Sequence, residues 1–519
     1  MFIGRVVTNV LLLGLSIAAA LAVTEASFRV IDGYRLGQLS LVVVPRSLKG
    51  QPTELSLPDA RKATFASGFD VSWYTADPPQ YDRSSKFSPP ADWAAAVKNY
   101  RQAIGKQDYT EVEFKFLYND KWLEEACAKR DPTPTLRQFR RYPGFVYSFA
   151  SPDGSTKPEY RMVPRGWDSE ITYFNNFGFR GPDIEPRKPD RVIRVAFLGA
   201  SVLSNGWPYT SSEYAVNFLR LWAQAQHLDV DFDLINASRG GINSTASAQI
   251  MRYEVAPLRP DIVVYYQGAR NITGVEVKAI VRDVDSKPFT ARDTAERHLS
   301  TVPENLPLDK YSALARRIYE LINRRTAGIA EPTKPPHKLS FDLKQTDPDL
   351  DAKDLPFSLT RQIVDVVDIE GITKSIGAQF AVASAIALVH DGLRLDPDRD
   401  RLILSALNAD LAPLTYAEIR DAIDFENAVY RKLAKRENFP FLNLDSHFPS
   451  DPSYFWDMVH QYGNAFRLQG WVMAQSLAPY ILKAVSEGAL PRSGQTPDLK
   501  SIEWASAPTK RFNLGCLPE

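Results

Sequence analysis

The second half of the chain alternates between short apolar blocks and segments with helical spacing. Five blocks have the length and composition of strands: 193–198, 232–235, 262–266, 380–388 and 441–444. Between them, apolar residues recur at the spacing of amphipathic helices. Thr210-Ser-Ser-Glu213 and Thr415-Tyr-Ala-Glu418 have the residues of capping boxes, which begin such helices. This alternation predicts an α/β fold, with a parallel five-stranded sheet and helices on both faces.

The N-terminal pattern is different, because residues 6–23 form one apolar segment without a charged residue. At about 1.5 Å per residue, such a helix is just long enough to span the hydrocarbon core of a bilayer. Arg5 precedes the segment and favours a cytoplasmic N-terminus. Two interpretations remain open: an uncleaved membrane anchor, or a signal peptide with Ala20-Leu21-Ala22 as its cleavage site. Either one places the main part of the chain outside the cytoplasm.

These patterns divide the chain into regions. We predict a membrane anchor or signal segment at 1–27, a less regular membrane-proximal region at 28–190, the α/β domain at 191–485 and a C-terminal tail at 486–519. The range 272–375 interrupts the alternation of strands and helices. We therefore interpret it as an insertion between the third and fourth strands.

Composition narrows the function classes. The 519 residues contain 62 Lys and Arg and 62 Asp and Glu, and this balance argues against a nucleic-acid binder. The two cysteines, Cys127 and Cys516, are too few for a disulfide scaffold or a Cys-based zinc cluster. They can pair with each other in an oxidising compartment. We expect neither a cofactor nor a metal.

Candidate chemistry follows the strands, because ligands bind beyond the carboxyl ends of parallel strands. Ser201 comes just after the first strand, between small residues. Gly240-Gly241 follows the second strand, and paired glycines let the backbone approach a ligand. After the third strand, the amide of Asn271 or the guanidinium of Arg270 can donate to an oxyanion.

Asp457-Met-Val-His460 lies between the last strand and the last helix. At this spacing Asp457 can hold His460 in one tautomer while the imidazole takes a proton from a serine. His447, after the fifth strand, is the main rival as general base, and His390 is a weaker one.

Taken together, these motifs resemble the SGNH (GDSL-type) hydrolase family. Gly199-Ala200-Ser201 is similar to its first block, in which serine is the nucleophile. Asn236-Ala-Ser-Arg-Gly-Gly241 is similar to the second block, whose glycine N–H lines the oxyanion hole. Gly268-Ala-Arg-Asn271 resembles the third, and Asp457-Met-Val-His460 the fifth, Asp-x-x-His. The resemblance implies the flavodoxin-like, three-layer fold of that family.

The resemblance covers about residues 170–485. It includes Asn175-Asn-Phe-Gly-Phe-Arg-Gly181, which looks like the lead-in of membrane-anchored bacterial members. In such members an N-terminal helix carries an extracytoplasmic hydrolase domain. The resemblance therefore implies a single-pass protein of the bacterial inner membrane, with its main domain in the periplasm.

Two positions depart from the family. Ala200 stands where the family has Asp before the nucleophile, and Arg270 stands where the third block usually has Asn. Either the loop shifts by one residue so that Asn271 fills the oxyanion hole, or Arg270 takes its place. We favour Asn271, because a neutral amide matches the chemistry of the family.

The resemblance implies a serine ester hydrolase that acts on an acyl ester, such as an acetyl ester of cell-surface polysaccharide or a lipid ester. Ser201 would be the nucleophile, His460 the base and Asp457 its orienting partner. The N–H groups of Ser201 and Gly241, with Asn271, would hold the oxyanion. Two alternatives remain: an O-acyltransferase that uses the same triad, and a non-catalytic polysaccharide-binding or assembly module on the same fold.

Overall fold

A computed structural model describes the following residues: 2–31, 36, 57–81, 146–148, 160–162, 167–168, 172–206, 208–282, 312–315, 330–396 and 400–498. Cys127 and Cys516, and so their predicted option of pairing, lie outside this part of the chain. Most of the predicted membrane-proximal region also lies outside it.

One parallel sheet organises the described residues. Its strands are β1 (Val192–Gly199), β2 (Asp231–Asn236), β3 (Ile262–Tyr266), β4 (Gln379–Ala383) and β5 (Phe441–Leu442). Their side chains are largely buried, and β3 is buried throughout. These strands lie at the five predicted blocks, so the parallel five-stranded sheet is confirmed.

The strand order is β5-β4-β3-β1-β2, and all neighbours run parallel. The chain leaves β1 toward one edge of the sheet, then crosses back over β1 to form β3 and continues to the other edge. The direction of winding therefore reverses at β1. In such doubly wound sheets the ligand site lies at this reversal, beyond the carboxyl ends of the strands. Ser201 follows β1 at that point.

The helices of seven residues or more in the described part are α1 (Phe2–Ile31), α2 (Ser211–Ala225), α3 (Ser244–Ile250), α4 (Gly274–Ile280), α5 (Leu359–Ser375), α6 (Tyr416–Glu437) and α7 (Ala465–Ser486). On one face of the sheet, α2 packs against α7. On the other face, α5 packs between α3 and α6. Because crossovers between parallel strands are right-handed, connections that run toward opposite edges of the sheet lie on opposite faces of it. The predicted layers of helices on both faces are therefore confirmed.

The two capping boxes begin helices as predicted. Thr210 accepts the Glu213 N–H while Glu213 accepts the Thr210 N–H, and Thr415 and Glu418 do the same for α6. Each box satisfies two backbone donors that a helix leaves without partners at its first turn. The starts of α2 and α6 are thereby fixed by local sequence.

The fourth and fifth strands are shorter than predicted. β4 ends at Ala383, although residues 385–388 are apolar and buried. There the backbone pairs with side chains: Asn427 bonds both the N–H and the C=O of Ala385, and Asp445 accepts the Ala387 N–H. Because side chains satisfy these groups, the segment needs no neighbouring strand.

Parts of the regions predicted to flank the domain pack onto it. Residues 57–81 lie against α7, where the Gln475 side chain accepts the N–H groups of Phe65 and Ala66. In the lead-in 172–181, Phe179 is buried and Arg180 bridges to Asn236 of β2. These residues pack with the domain that we predicted to begin at 191.

The range 272–375, which we predicted to be an insertion, is only partly described. Its last part is α5, which packs on β4 and supplies the crossover from β3. Near its start, Val281–Arg282 pairs with Lys338–Leu339 in a short antiparallel ladder. Only the residues before α5 therefore interrupt the regular alternation.

The N-terminal helix α1 contains one segment, Leu12–Val30, that is long and apolar enough to cross a membrane. Only 6% of this segment is buried, and a signal sequence has the same properties. Near its end, Glu25 accepts hydrogen bonds from Ser312 and from the backbone N–H groups of Ala313 and Leu314.

Gly199 ends β1 at its closest approach to β3, and this contact leads to a prediction. Its φ is +155°, and a Cβ at this position would lie 1.8 Å from the Tyr266 carbonyl oxygen. We expect Gly199→Ala to lower the free energy of unfolding by about 3 kcal/mol, because the strands must separate. Urea denaturation of the purified chain measures this.

Gly371 provides the matched control. It lies in α5, and a Cβ added to it would have no atom within 4 Å, so Gly371→Ala should be neutral or stabilise by up to about 1 kcal/mol. Equal effects of the two substitutions would show that the contact between Gly199 and Tyr266 is not tight.

Candidate active site

Ser201 begins a short helix, Ser201–Ser204, immediately after β1. Ala200 lies at the N-cap position in an extended conformation and is fully buried. The first N–H groups of a helix have no partner within it, so the Ser201 N–H belongs to this set. The turn thus presents both the hydroxyl and the backbone N–H of Ser201 at the carboxyl edge of the sheet.

A chain of two hydrogen bonds links Ser201, His460 and Asp457. The Ser201 Oγ lies 2.6 Å from His460 Nε2. The other ring nitrogen, Nδ1, lies 2.6 Å from Asp457 Oδ2. If Nδ1 carries the proton that Asp457 accepts, Nε2 is free to accept the hydroxyl proton. The structure therefore brings these three predicted residues together, in the order that a nucleophile, its base and an orienting carboxylate require.

The loop that carries Asp457 and His460 is closed by backbone pairing. Phe455 bridges to Gln461, and the Trp456 N–H donates to the His460 carbonyl at 2.9 Å. Phe455 is buried and anchors the loop in the core. The Asp-x-x-His spacing thus spans the tip of a tight loop, which places both side chains toward Ser201.

Asp457 is held as a carboxylate. Burial raises its pKa, but the hydrogen bond from the His460 ring, the electrostatic attraction to that ring and the backbone N–H groups of His460 and Val459 outweigh burial, so the pKa lies below its ordinary value. Its Oδ1 accepts those two N–H groups at 2.8 and 2.9 Å. The carboxylate is therefore ionised at neutral pH and fixed in orientation.

The loop after β2 is fastened to the end of β1. The Arg239 N–H donates to the Gly199 carbonyl at 3.1 Å, and the Arg239 guanidinium forms a buried ion pair with Glu254. Gly241 adopts a φ of +77°, which favours glycine. These contacts fix the backbone of the predicted oxyanion loop, although Arg239 and Glu254 were not among the predicted residues.

The loop after β3 separates the two candidate donors. The guanidinium of Arg270 donates to the Gly241 carbonyl and so joins the second and third loops. The Asn271 Nδ2 donates to Glu426 Oε1 at 3.2 Å. An amide nitrogen carries two N–H groups, so one more remains for an oxyanion. This arrangement favours Asn271 as the donor and Arg270 as a support for Gly241.

Three other described histidines contact groups away from Ser201. The His447 ring stacks on Phe65 with centroids 3.7 Å apart, and burial lowers its pKa. The exposed His390 lies 2.8 Å from the Asp391 carbonyl, and His337 lies 3.1 Å from Glu418. Among the described residues, His460 is the histidine that reaches Ser201.

Glu426 on α6 is a further residue near the site that sequence analysis missed. A signal was present, because Ile419, Ile423 and Tyr430 occupy the same face at helical spacing. A charged residue on the buried face of an amphipathic helix is uncommon unless it has a partner. In the described part of the chain, no cluster of His, Cys, Asp or Glu has the arrangement of a metal site.

The role of Asn271 can be tested by substitution. We expect Asn271→Ala to lower kcat by about 10²-fold, because one oxyanion donor is lost. Ester hydrolysis under saturating substrate measures this. Asn443→Ala is the matched control, since Asn443 is exposed on the loop after β5. If kcat is unchanged in Asn271→Ala but falls strongly in Arg270→Ala, then Arg270 is the oxyanion donor and Asn271 is not.

Comparisons with known proteins give matches among solved structures alone. No family model and no curated protein matches the chain. A GDSL-like lipase of Bacteroides thetaiotaomicron is 13% identical, with 57% of this chain and 89% of that chain covered and a TM-score of 0.26. A catalytic variant of an acetylxylan esterase from Geobacillus stearothermophilus is 10% identical. The match covers 57% of this chain and 96% of that chain, with a TM-score of 0.30.

A lipase/acylhydrolase from Enterococcus faecalis is 12% identical, with 55% of this chain and 96% of that chain covered and a TM-score of 0.28.

Proposed function

We propose that this chain is a serine ester hydrolase of the SGNH type. The observation that carries the proposal is the hydrogen-bonded chain from Ser201 through His460 to Asp457, with both links at 2.6 Å. It stands at the carboxyl edge of the sheet, where the winding reverses and doubly wound folds place their sites. A non-catalytic module has no need of this arrangement.

In this mechanism, the Ser201 Oγ attacks the acyl carbonyl while His460 Nε2 takes its proton. Asp457 stabilises the imidazolium that forms. The N–H groups of Ser201 and Gly241, with the Asn271 amide, hold the oxyanion. His460 then returns the proton to the leaving alcohol, and the acyl group stays on Ser201. Water, activated by His460, releases the acyl group as an acid and restores the serine.

The compartment and the substrate are part of the same proposal. The apolar segment of α1 and Arg5 before it support a single-pass anchor in a bacterial inner membrane, with the domain in the periplasm. Acetyl esters of cell-surface polysaccharide are then the first choice of substrate, and lipid esters the second. Trp456, which is 43% exposed and directly precedes Asp457, is the aromatic residue that we assign as a contact for the sugar of such a substrate.

A fluorophosphonate probe tests the proposal, because it phosphonylates an activated serine. We expect the folded full-length chain to be labelled at Ser201, as mapped by mass spectrometry, and the heat-unfolded chain not to be. Absence of labelling in the folded chain would overturn the proposal. With an acetyl ester as substrate, transfer to an added sugar faster than to water would instead identify the acyltransferase.

A further inference from the structure

Glu426 is a buried carboxyl group behind the proposed oxyanion hole. It lies in the middle of α6 and is 0% exposed. Its Oε1 accepts the Asn271 amide, and its Oε2 has no hydrogen-bond partner among the described residues. No described Lys, Arg or His lies within ion-pair distance of it. A buried carboxylate without a cation is costly, so the neutral acid is the favoured form.

The groups that surround Glu426 reinforce this preference. The titratable groups that interact with Glu426 are Tyr265 and Tyr266 from β3 and Tyr430 from α6, and Asp365 from α5 interacts with Tyr265 and Tyr430. Burial raises the pKa of the three tyrosines, which therefore stay neutral. Asp365 has its own cation, because Arg361 lies 2.8 Å from it. None of these groups supplies positive charge to Glu426.

Burial accordingly raises the pKa of Glu426 to about 8, even though the hydrogen bond from Asn271 lowers it. At neutral pH most molecules thus carry the protonated side chain. In that form one oxygen accepts an Asn271 N–H without adding negative charge near the site.

We propose that Glu426, in its neutral form, is a positioning residue that orients the Asn271 amide toward the oxyanion formed on the substrate. The proposal rests on the hydrolase function above and names an additional residue for it. With the acid proton on Oε2, Oε1 is an acceptor, so it bonds the nitrogen end of the Asn271 carboxamide and holds one of its two N–H groups. The second N–H then points to the oxyanion in a defined direction.

The charge state of Glu426 matters for the reaction. An ionised Glu426 still accepts from Asn271, but its negative charge then lies one side chain away from the developing oxyanion. Like charges at short range in a buried site raise the energy of the transition state. The turnover rate should therefore fall as pH rises through about 8.

Two substitutions separate orientation from charge. Glu426→Gln keeps an oxygen acceptor and is always neutral, so kcat at pH 7 should stay within about twofold and the alkaline fall should disappear. Glu426→Leu removes the acceptor, so kcat should fall about tenfold with KM nearly unchanged. In an Asn271→Ala background, Glu426→Leu should cause no further loss, because both act through one amide.

Glu370→Gln is the matched control. Glu370 is a buried carboxylate on α5 that pairs with Lys374, and its neutralisation should leave the pH profile as in the wild type. A Glu426→Gln profile with the wild-type alkaline fall, or a Glu426→Leu variant with unchanged kcat, would overturn the proposal. If Glu426→Leu does not fold, the Glu426→Gln profile decides alone.

Failure of this inference differs from failure of the hydrolase function. If the folded wild-type chain reacts with the fluorophosphonate at Ser201 but Glu426→Gln keeps the alkaline fall, only the role of Glu426 is wrong. A wild-type chain that neither reacts with the probe nor hydrolyses esters removes both proposals together.

Discussion

Ser201→Ala is expected to abolish ester hydrolysis, with a loss of about 10⁶-fold in kcat, while the fold remains intact. The substitution removes the oxygen that would form the acyl-enzyme, and neither His460 nor Asp457 can replace it. Ser201 is half-buried at the edge of the sheet. Loss of its hydroxyl should change the free energy of unfolding by no more than about 0.5 kcal/mol.

The measurement is initial-rate hydrolysis of a small acetyl ester by the purified chain, with thermal unfolding recorded in parallel. Ser204→Ala is the matched control, since Ser204 lies on the same short helix and its hydroxyl donates to the Ser201 carbonyl, at 3.4 Å. It should retain wild-type turnover. If Ser201→Ala keeps its activity, Ser201 has no part in the mechanism and the proposed function loses its nucleophile.

The sheet could be predicted from the sequence because its strands are buried on both faces. Such strands appear as short apolar blocks, and β1, β2 and β3 lie at the predicted positions. The starts of α2 and α6 could also be predicted, since the residues of a capping box are close together in the sequence. The end of β4 was not predictable, because the side chains that replace a neighbouring strand, Asn427 and Asp445, come from distant positions.

In the site too, the features that depend on local sequence could be predicted, and those that depend on distant residues could not. Ser201, Asp457 and His460 could be named because each follows a strand or lies in a short motif, and the structure places them in one hydrogen-bonded chain. Glu426 could not be named, since its partner Asn271 is 155 residues away. A polar residue on an apolar helix face signals that a partner exists but does not say which one.

The ion pair between Arg239 and Glu254 was also not predicted, because the sequence motif does not show which residue Arg239 contacts. Arg239 lies within the second motif, where the sequence suggested only a turn. In the structure its guanidinium is buried against Glu254, on the irregular turn that follows α3. Removing one partner of such a pair leaves an uncompensated buried charge. The oxyanion loop is therefore supported by contacts that lie outside its motif.

The second large expected effect is the loss of kcat when His460, the proposed general base, is replaced. His460→Ala should lower kcat by about 10⁶-fold, as Ser201→Ala does, because the members of such a unit act together. The double variant should be no slower than either single one, since the second substitution has nothing left to remove. Initial rates on the same acetyl ester measure both effects.

His447→Ala is the decisive comparison, since His447 was the main rival in the sequence. Its ring stacks on Phe65 and lies on the turn Asp445–His447 after β5. Its replacement should therefore cost about 1 kcal/mol of stability through the lost ring contact and leave kcat nearly unchanged. A large loss in His447→Ala, with activity retained in His460→Ala, would move the base to the loop after β5. The contact of 2.6 Å between the Ser201 hydroxyl and His460 would then be incidental to catalysis.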